Sequence, residues 1–145
     1  MLIGQNGGGL EALNGLADLV LVDAPCSGSG TWRRRPEDAW RLTAEEVEKL
    51  HALQVRILGQ AAKLVKPGGR LVYVTCSMLS RENEASAAAF EAAHPEFRPV
   101  PILAADAGGA GDSGLGPFAD GHRLRLSPAT TNTDGFFVAA YERAA

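Results

Sequence analysis

The stretch Ala17-Asp18-Leu19-Val20-Leu21-Val22-Asp23-Ala24-Pro25-Cys26 organises the rest of the chain. Ala17–Val22 is a short apolar run that stops at Asp23-Ala24-Pro25. Apolar runs of this length, bounded by a breaker, form buried strands of parallel sheets. Pro25 cannot donate to a strand ladder and ends the strand. Cys26-Ser27-Gly28-Ser29-Gly30-Thr31 then falls on the loop at its carboxyl end.

The same pattern recurs fifty residues on. Thr43 with Glu46 three residues later reads as a capping box. Val47, Leu50, Leu53, Ile57, Leu58, Ala61 and Leu64 follow at three- and four-residue steps, the stripe of an amphipathic helix. Lys63 and Lys66 suit its last turn, and Pro67-Gly68-Gly69 ends it. Arg70–Thr75 is a second apolar strand, central in character, and Cys76-Ser77 lies at its carboxyl end.

Outward from this pair the signals weaken. A second helix is expected from about Arg81 to Ala93, with Ser80 as N-cap and His94-Pro95 as its close. Phe97–Leu103 predicts a third strand, placed near an edge by Pro99 and Pro101. Residues 104–122 form a loop rich in Gly, Ala and Asp. Arg123–Leu126 reads as a short strand and Phe136–Tyr141 as a strong final one. Residues 1–15 are Gly-rich and irregular. Strand, helix, strand, helix, strand implies an α/β layer with parallel central strands.

Composition narrows the function classes. The 145 residues are 46% hydrophobic and 21% charged, the balance of a globular domain. No apolar run reaches the ~18 residues of a membrane span, and the first residues lack the basic and apolar regions of a signal peptide. The net charge of −3 gives no global nucleic-acid footprint, but Arg33, Arg34 and Arg35 form a local basic cluster. Such a cluster is commonly a solvated patch; beside a reactive loop it is a candidate phosphate clamp. Two cysteines make no disulfide framework and point to a reducing, cytoplasmic setting.

Ligands of open α/β sheets bind outside the carboxyl ends of the parallel strands. Cys26 and Cys76 occupy those ends, with Asp23 beside them. If the strands are neighbours, two thiols meet in one crevice. Other chemistries fit less well. Zinc needs four ligands, or three and a water, and His51, His94 and His122 are scattered. Ser27–Thr31 lacks the lysine and spacing of a phosphate loop. Gly111-Asp112-Ser113-Gly114 imitates a protease tetrapeptide without the rest of a triad. A thiol redox protein remains an alternative, as does a non-catalytic RNA- or partner-binding remnant.

Asp23-Ala24-Pro25-Cys26-Ser27-Gly28-Ser29-Gly30-Thr31, Lys66-Pro67-Gly68-Gly69, Val74-Thr75-Cys76-Ser77 and Thr133-Asp134-Gly135-Phe136-Phe137-Val138-Ala139 together carry a resemblance, with Arg123-Leu124 and Pro128 upstream of the last. Over residues 17–143 the chain resembles the Sun (Fmu) family of RNA cytosine-5 methyltransferases, the RsmB-like enzymes of bacteria. The resemblance implies a Rossmann-like methyltransferase fold whose last strand runs antiparallel between the second and third strands seen here. It implies S-adenosylmethionine as methyl donor and RNA, ribosomal before transfer, as substrate. It implies Cys76 as nucleophile at cytosine carbon 6 and Cys26 as the group that helps resolve the adduct. Asp23 would hydrogen-bond the cytosine edge, and Asp23 with Pro25 would border the cofactor. Arg33, Arg34 and Arg35 would meet phosphate.

In that family the cofactor loop and the acidic strand end precede the Asp23–Cys26 segment, and sixteen residues before Ala17 do not hold two strand–helix units. The expected organisation is therefore an irregular junction over 1–16 and the C-terminal part of a catalytic domain over 17–145. The cofactor pocket is expected to be incomplete, the missing N-terminal half a partner, and the first strand an exposed edge.

Overall fold

A computed structural model describes residues 9–102 and 116–145. The Gly111–Gly114 tetrapeptide and most of the predicted 104–122 loop lie outside the described residues. In chain order the regular elements are β1 (Ala17–Asp23), α1 (Glu37–Arg41), α2 (Ala44–Leu64), β2 (Val65–Thr75), α3 (Glu84–Ala93), β3 (Phe97–Pro99), β4 (Ala119–Asp120), β5 (Arg123–Leu126), α4 (Pro128–Thr131) and β6 (Phe136–Arg143). Short single-turn helices cover Glu11–Leu13, Ser29–Thr31 and Gly116–Phe118.

The strands make one sheet in the order β1-β2-β6-β5-β4, with β3 also on β6. β1 and β2 are parallel, with Val22 opposite Tyr73 and Asp23 opposite Val74. β6 is antiparallel to β2, with Thr75 opposite Phe137. On its other side β6 receives β5 and β3, both antiparallel. The last strand thus lies between the second and third strands, as the resemblance implies. The parallel pair carries the predicted crossover helix, α2.

Helix α2 begins where the capping box predicts. The Thr43 hydroxyl accepts from Glu46 N at 3.2 Å, and the Glu46 carboxylate accepts from Thr43 N at 2.8 Å. Its buried stripe, with Leu58, Ala61 and Ala62, and the α3 residues Ala87 and Phe90 cover one face of the sheet. There they meet Val22, Leu71, Tyr73, Phe137, Ala139 and Tyr141. Phe90 packs against Tyr141 and Phe97, with ring centroids 5.0 and 5.3 Å apart. The opposite face is left partly open around Leu19, Val72, Val138 and Ala140.

Four local expectations are corrected. β1 is parallel but half-exposed: Leu19 and Leu21 are 59% and 65% accessible, because β1 borders the sheet and only one of its faces is covered. Lys66-Pro67-Gly68-Gly69 lies inside β2 and not after a helix turn; it is an extruded bulge at which the β1 register jumps from Ala17–Val65 to Leu19–Arg70. Lys66 there pairs with Asp18 at 2.5 Å instead of facing the helix dipole. Helix α3 starts three residues later than expected, and Ser80 is not its cap. β3 stops at Pro99, since Pro99 and Pro101 supply no ladder N–H.

Candidate active site

β1 and β2 end side by side, so the loops that follow them are adjacent. Ala24 N still donates to Val74 O at 3.0 Å, carrying the parallel pairing one residue past β1. The chain then turns at Pro25, and Gly28 adopts a left-handed φ of 68° that lets the Ser29–Thr31 turn fold back. Gly30 N donates to Cys76 O at 2.9 Å. This places the Cys26 and Cys76 sulfurs 3.3 Å apart, both partly buried and both free. The two thiols predicted to share a crevice are in contact. Burial, with a smaller contribution from the neighbouring thiol, pushes the Cys26 thiol up to about 12. Cys26 is therefore held as a neutral S–H at neutral pH, able to donate toward Cys76.

A buried polar cluster lies beneath this contact. Glu82, fully buried, accepts from Ser27 N at 2.8 Å, Ser27 Oγ at 2.5 Å, Ser77 Oγ at 2.5 Å and Gln54 Nε2 at 3.0 Å. Asn83, equally buried, accepts from Thr75 Oγ1 at 2.5 Å and donates to Ser77 O at 2.8 Å, gripping the residues on either side of Cys76. Ser29 Oγ accepts from Met78 N at 2.8 Å. These contacts explain the late start of α3: residues 80–83 stay outside the helix so that Glu82 and Asn83 face inward. Reading the sequence missed both, because an acidic and an amide residue before an Ala-rich helix look like an exposed first turn. The one available signal was Ser following each cysteine, a pair of hydroxyls in need of an acceptor.

A third segment closes the site. Gly135 N donates to Gly30 O at 2.8 Å, and a Cβ on Gly30 would lie 2.2 Å from Gly135 O. The start of β6 therefore presses directly on the Cys26 loop. Beside this crossing, Arg33 Nε donates to Asp134 Oδ1 at 2.7 Å and Arg34 contacts Oδ2 at 2.6 Å. The two guanidiniums, Arg33 first, hold the Asp134 carboxyl below the usual carboxylate range. Two of the three predicted phosphate contacts are thus fastened to the β6 loop, while their side chains stay about half exposed or more. Arg35 is exposed and makes no ion pair among the described residues.

Asp23 and Pro25 are exposed at the end of β1. With Leu10, Val20, Ile57 and Gln60 they line a shallow cleft of about 250 Å³ on the sheet border. On the other side of the Cys26 loop, Ser27, Leu42 and Leu50, with the charged Asp38, Arg41, Glu46 and Lys49, line a larger cleft of about 440 Å³. Among the described residues there is no cluster of three or more metal-ligating side chains. No helix among them is long and apolar enough to cross a membrane.

A parallel strand pair with a crossover helix and an antiparallel last strand beside it make a Rossmann-like methyltransferase sheet, with two cysteines at the ends of the parallel strands. More narrowly, the chain belongs to the 16S rRNA methyltransferase RsmB/F family, whose model matches residues 7–142. Ribosomal RNA small subunit methyltransferase B of Thermus thermophilus is 46% identical over 86 residues, covering 59% of this chain and 22% of that protein. The enzyme of the same name from Sodalis glossinidius is 39% identical over 124 residues, covering 86% and 25%. Among solved structures, NSun6 from Pyrococcus horikoshii with SFG matches with a TM-score of 0.64 and 26% identity, over 86% of this chain and 29% of that one. The chain spans about a quarter of the length of these relatives.

Proposed function

We propose that this chain carries the cysteine machinery of an RNA cytosine-5 methyltransferase, with residues 17–145 as part of its catalytic domain and ribosomal RNA as the substrate. The 3.3 Å contact between Cys26 and Cys76 is the observation that carries this reading. Carbon 5 of cytosine is a weak nucleophile. Addition of the Cys76 thiolate to carbon 6 forms an S–C6 bond and moves the ring electrons so that carbon 5 becomes nucleophilic, which is covalent catalysis. S-adenosylmethionine, when bound, supplies the electrophilic methyl group. After methylation a base takes the proton from carbon 5. The S–C6 electron pair returns to Cys76, restoring the aromatic ring and the thiolate. Cys26, kept protonated by its burial, has an S–H within reach of the leaving Cys76 sulfur and would hydrogen-bond to it, steadying the thiolate as it leaves.

Asp23 and Pro25 fit one wall of a cofactor site: an exposed carboxylate that can accept hydrogen bonds, beside apolar side chains against which a planar ring can lie. The same Asp23 would take the amino edge of the cytosine. A base must leave its stack to reach Cys76, so single-stranded or flipped RNA is the expected form. Arg33, Arg34 and Arg35 would contact its phosphates. Paired thiols that must stay reduced suit a cytoplasmic setting.

The test is adduct formation with RNA containing 5-fluorocytidine, whose carbon 5 carries no proton to lose after methylation. A denaturation-resistant protein–RNA adduct is expected when S-adenosylmethionine and the N-terminal half of a family catalytic domain are supplied together, and none with Cys76→Ala. An adduct that persists in Cys76→Ala refutes the assignment. RNA binding unaffected by Cys76→Ala, with no adduct in the parent protein, identifies an RNA-binding remnant instead.

A further inference from the structure

Glu82 accepts from both residues that follow the cysteines, whose hydroxyls also lie 3.4 Å from each other, with Ser29 Oγ 3.1 Å from Ser77 Oγ. Its two oxygens take four hydrogen bonds: two from Ser27, next to Cys26; one from Ser77, next to Cys76; and one from Gln54 of α2. Gln54 Nε2 also donates to Pro25 O at 3.0 Å, so α2 holds the Cys26 loop from behind. The Glu82 carbonyl accepts from Tyr73 Oη at 2.6 Å, which fixes its backbone to β2. Burying a carboxylate is costly unless its acceptor sites are filled. Here the donors come from the loops the chemistry uses, and α3 begins without a side-chain cap bond at Asn83 so that Glu82 can face them.

We infer that Glu82 is a positioning residue, fastening Ser27 to Ser77 and thereby setting the Cys26–Cys76 gap. Building on the methyltransferase reading, the release step depends on it more than the addition step does. Addition at carbon 6 needs Cys76 alone. Release needs Cys26 within reach of Cys76. Loss of the Glu82 clamp therefore resembles loss of Cys26: the adduct forms and is slow to resolve.

Thiol proximity can be read without RNA. Diamide oxidises the two thiols: one sulfur adds to the azo bond, the second displaces it to form the S–S bond, and both protons end on the reduced hydrazine. The parent protein is expected to form the Cys26–Cys76 disulfide rapidly. Glu82→Ala is expected to do so about ten-fold or more slowly, as a displacement near 1 Å would give. Glu82→Gln, which keeps the shape and one acceptor oxygen, is expected to recover part of the rate. With ordinary cytidine RNA, Glu82→Ala should hold a larger steady fraction of adduct than the parent, in the direction of Cys26→Ala. An unchanged oxidation rate in folded Glu82→Ala overturns the inference. Should that variant fail to fold, the Ser27→Ala/Ser77→Ala double variant removes the two hydroxyl links, and an unchanged rate there overturns it equally. Slowed oxidation in a protein that forms no RNA adduct supports the positioning role and refutes the methyltransferase reading.

Discussion

Cys26 shows what reading a residue alone leaves out. The sequence places it at a strand end next to a second thiol, and the fold brings the two sulfurs to 3.3 Å. Environment, not sequence, sets its titration: burial raises the Cys26 thiol, and no charge near it in the sequence announces this. The sign of the pH dependence follows. Below about 12 the folded protein keeps Cys26 protonated, so its alkylation by iodoacetamide should be slow at pH 8 and should still be rising at pH 10. Because burial is the leading cause, the behaviour is expected to survive in Cys76→Ser, where Cys26 can be followed by itself. An apparent pKa at or below the ordinary ~8.5 of a free thiol in that variant would contradict the proposal that Cys26 stays neutral and hydrogen-bonds to Cys76. Arg33 and Arg34 make the converse point. The sequence displays them as a basic run, yet their partner is Asp134, a hundred residues away. Asp134→Asn should free both guanidiniums and strengthen RNA binding at low salt; a weakened binding would mean that the pairing positions them for phosphate.

At the scale of elements, what local pattern controls was legible and what tertiary contact controls was not. The α2 start was readable because its capping box is a four-residue event. The parallel strands were readable from apolar runs that end in Pro25 and Cys76. The start of α3 was not, since Glu82 and Asn83 are drawn inward by hydroxyls from Ser27 and Thr75. The bulge at Lys66–Gly69 was not, since only strand pairing distinguishes a loop before a strand from an extrusion within one. The glycines separate these cases experimentally. Gly68 has φ 74° and open space around a would-be Cβ, so Gly68→Ala should cost the ~1–2 kcal/mol of a left-handed alanine. Gly30 has Gly135 O 2.2 Å from the same position, so Gly30→Ala forces backbone apart and should cost about 3 kcal/mol or prevent folding. Urea midpoints of the two variants measure the difference. Equal losses would show that the β6 crossing is loose enough to give way.

At the scale of the whole molecule, the sheet is covered by α2 and α3 on one face and bordered by β1 on one side. The Cys26–Cys76 site draws on few parts of the fold: two parallel strands to set the ends level, one antiparallel strand to press on the loops, one helix to supply Gln54, and the segment before α3 to supply Glu82 and Asn83. The border strand is a different matter. Among the described residues β1 presents an unpaired backbone edge, with Leu19 and Leu21 59% and 65% accessible, next to Leu16 at 65%. A long apolar edge of this kind templates pairing with another chain. Lysine on an edge opposes such pairing through charge repulsion and the cost of burying an ammonium. Leu19→Lys and Leu21→Lys are therefore expected to raise the monomer fraction in sedimentation velocity, and more so together. Both side chains are already solvent-facing, so the urea midpoint should shift by no more than about 0.5 kcal/mol equivalent for each. The same substitutions leave Val22, whose side chain is in the core, and the Asp23–Cys26 turn unchanged, so diamide oxidation of the thiol pair should proceed at the parent rate. Monomer fraction unchanged by the double variant would show that the β1 border is not the surface through which copies associate.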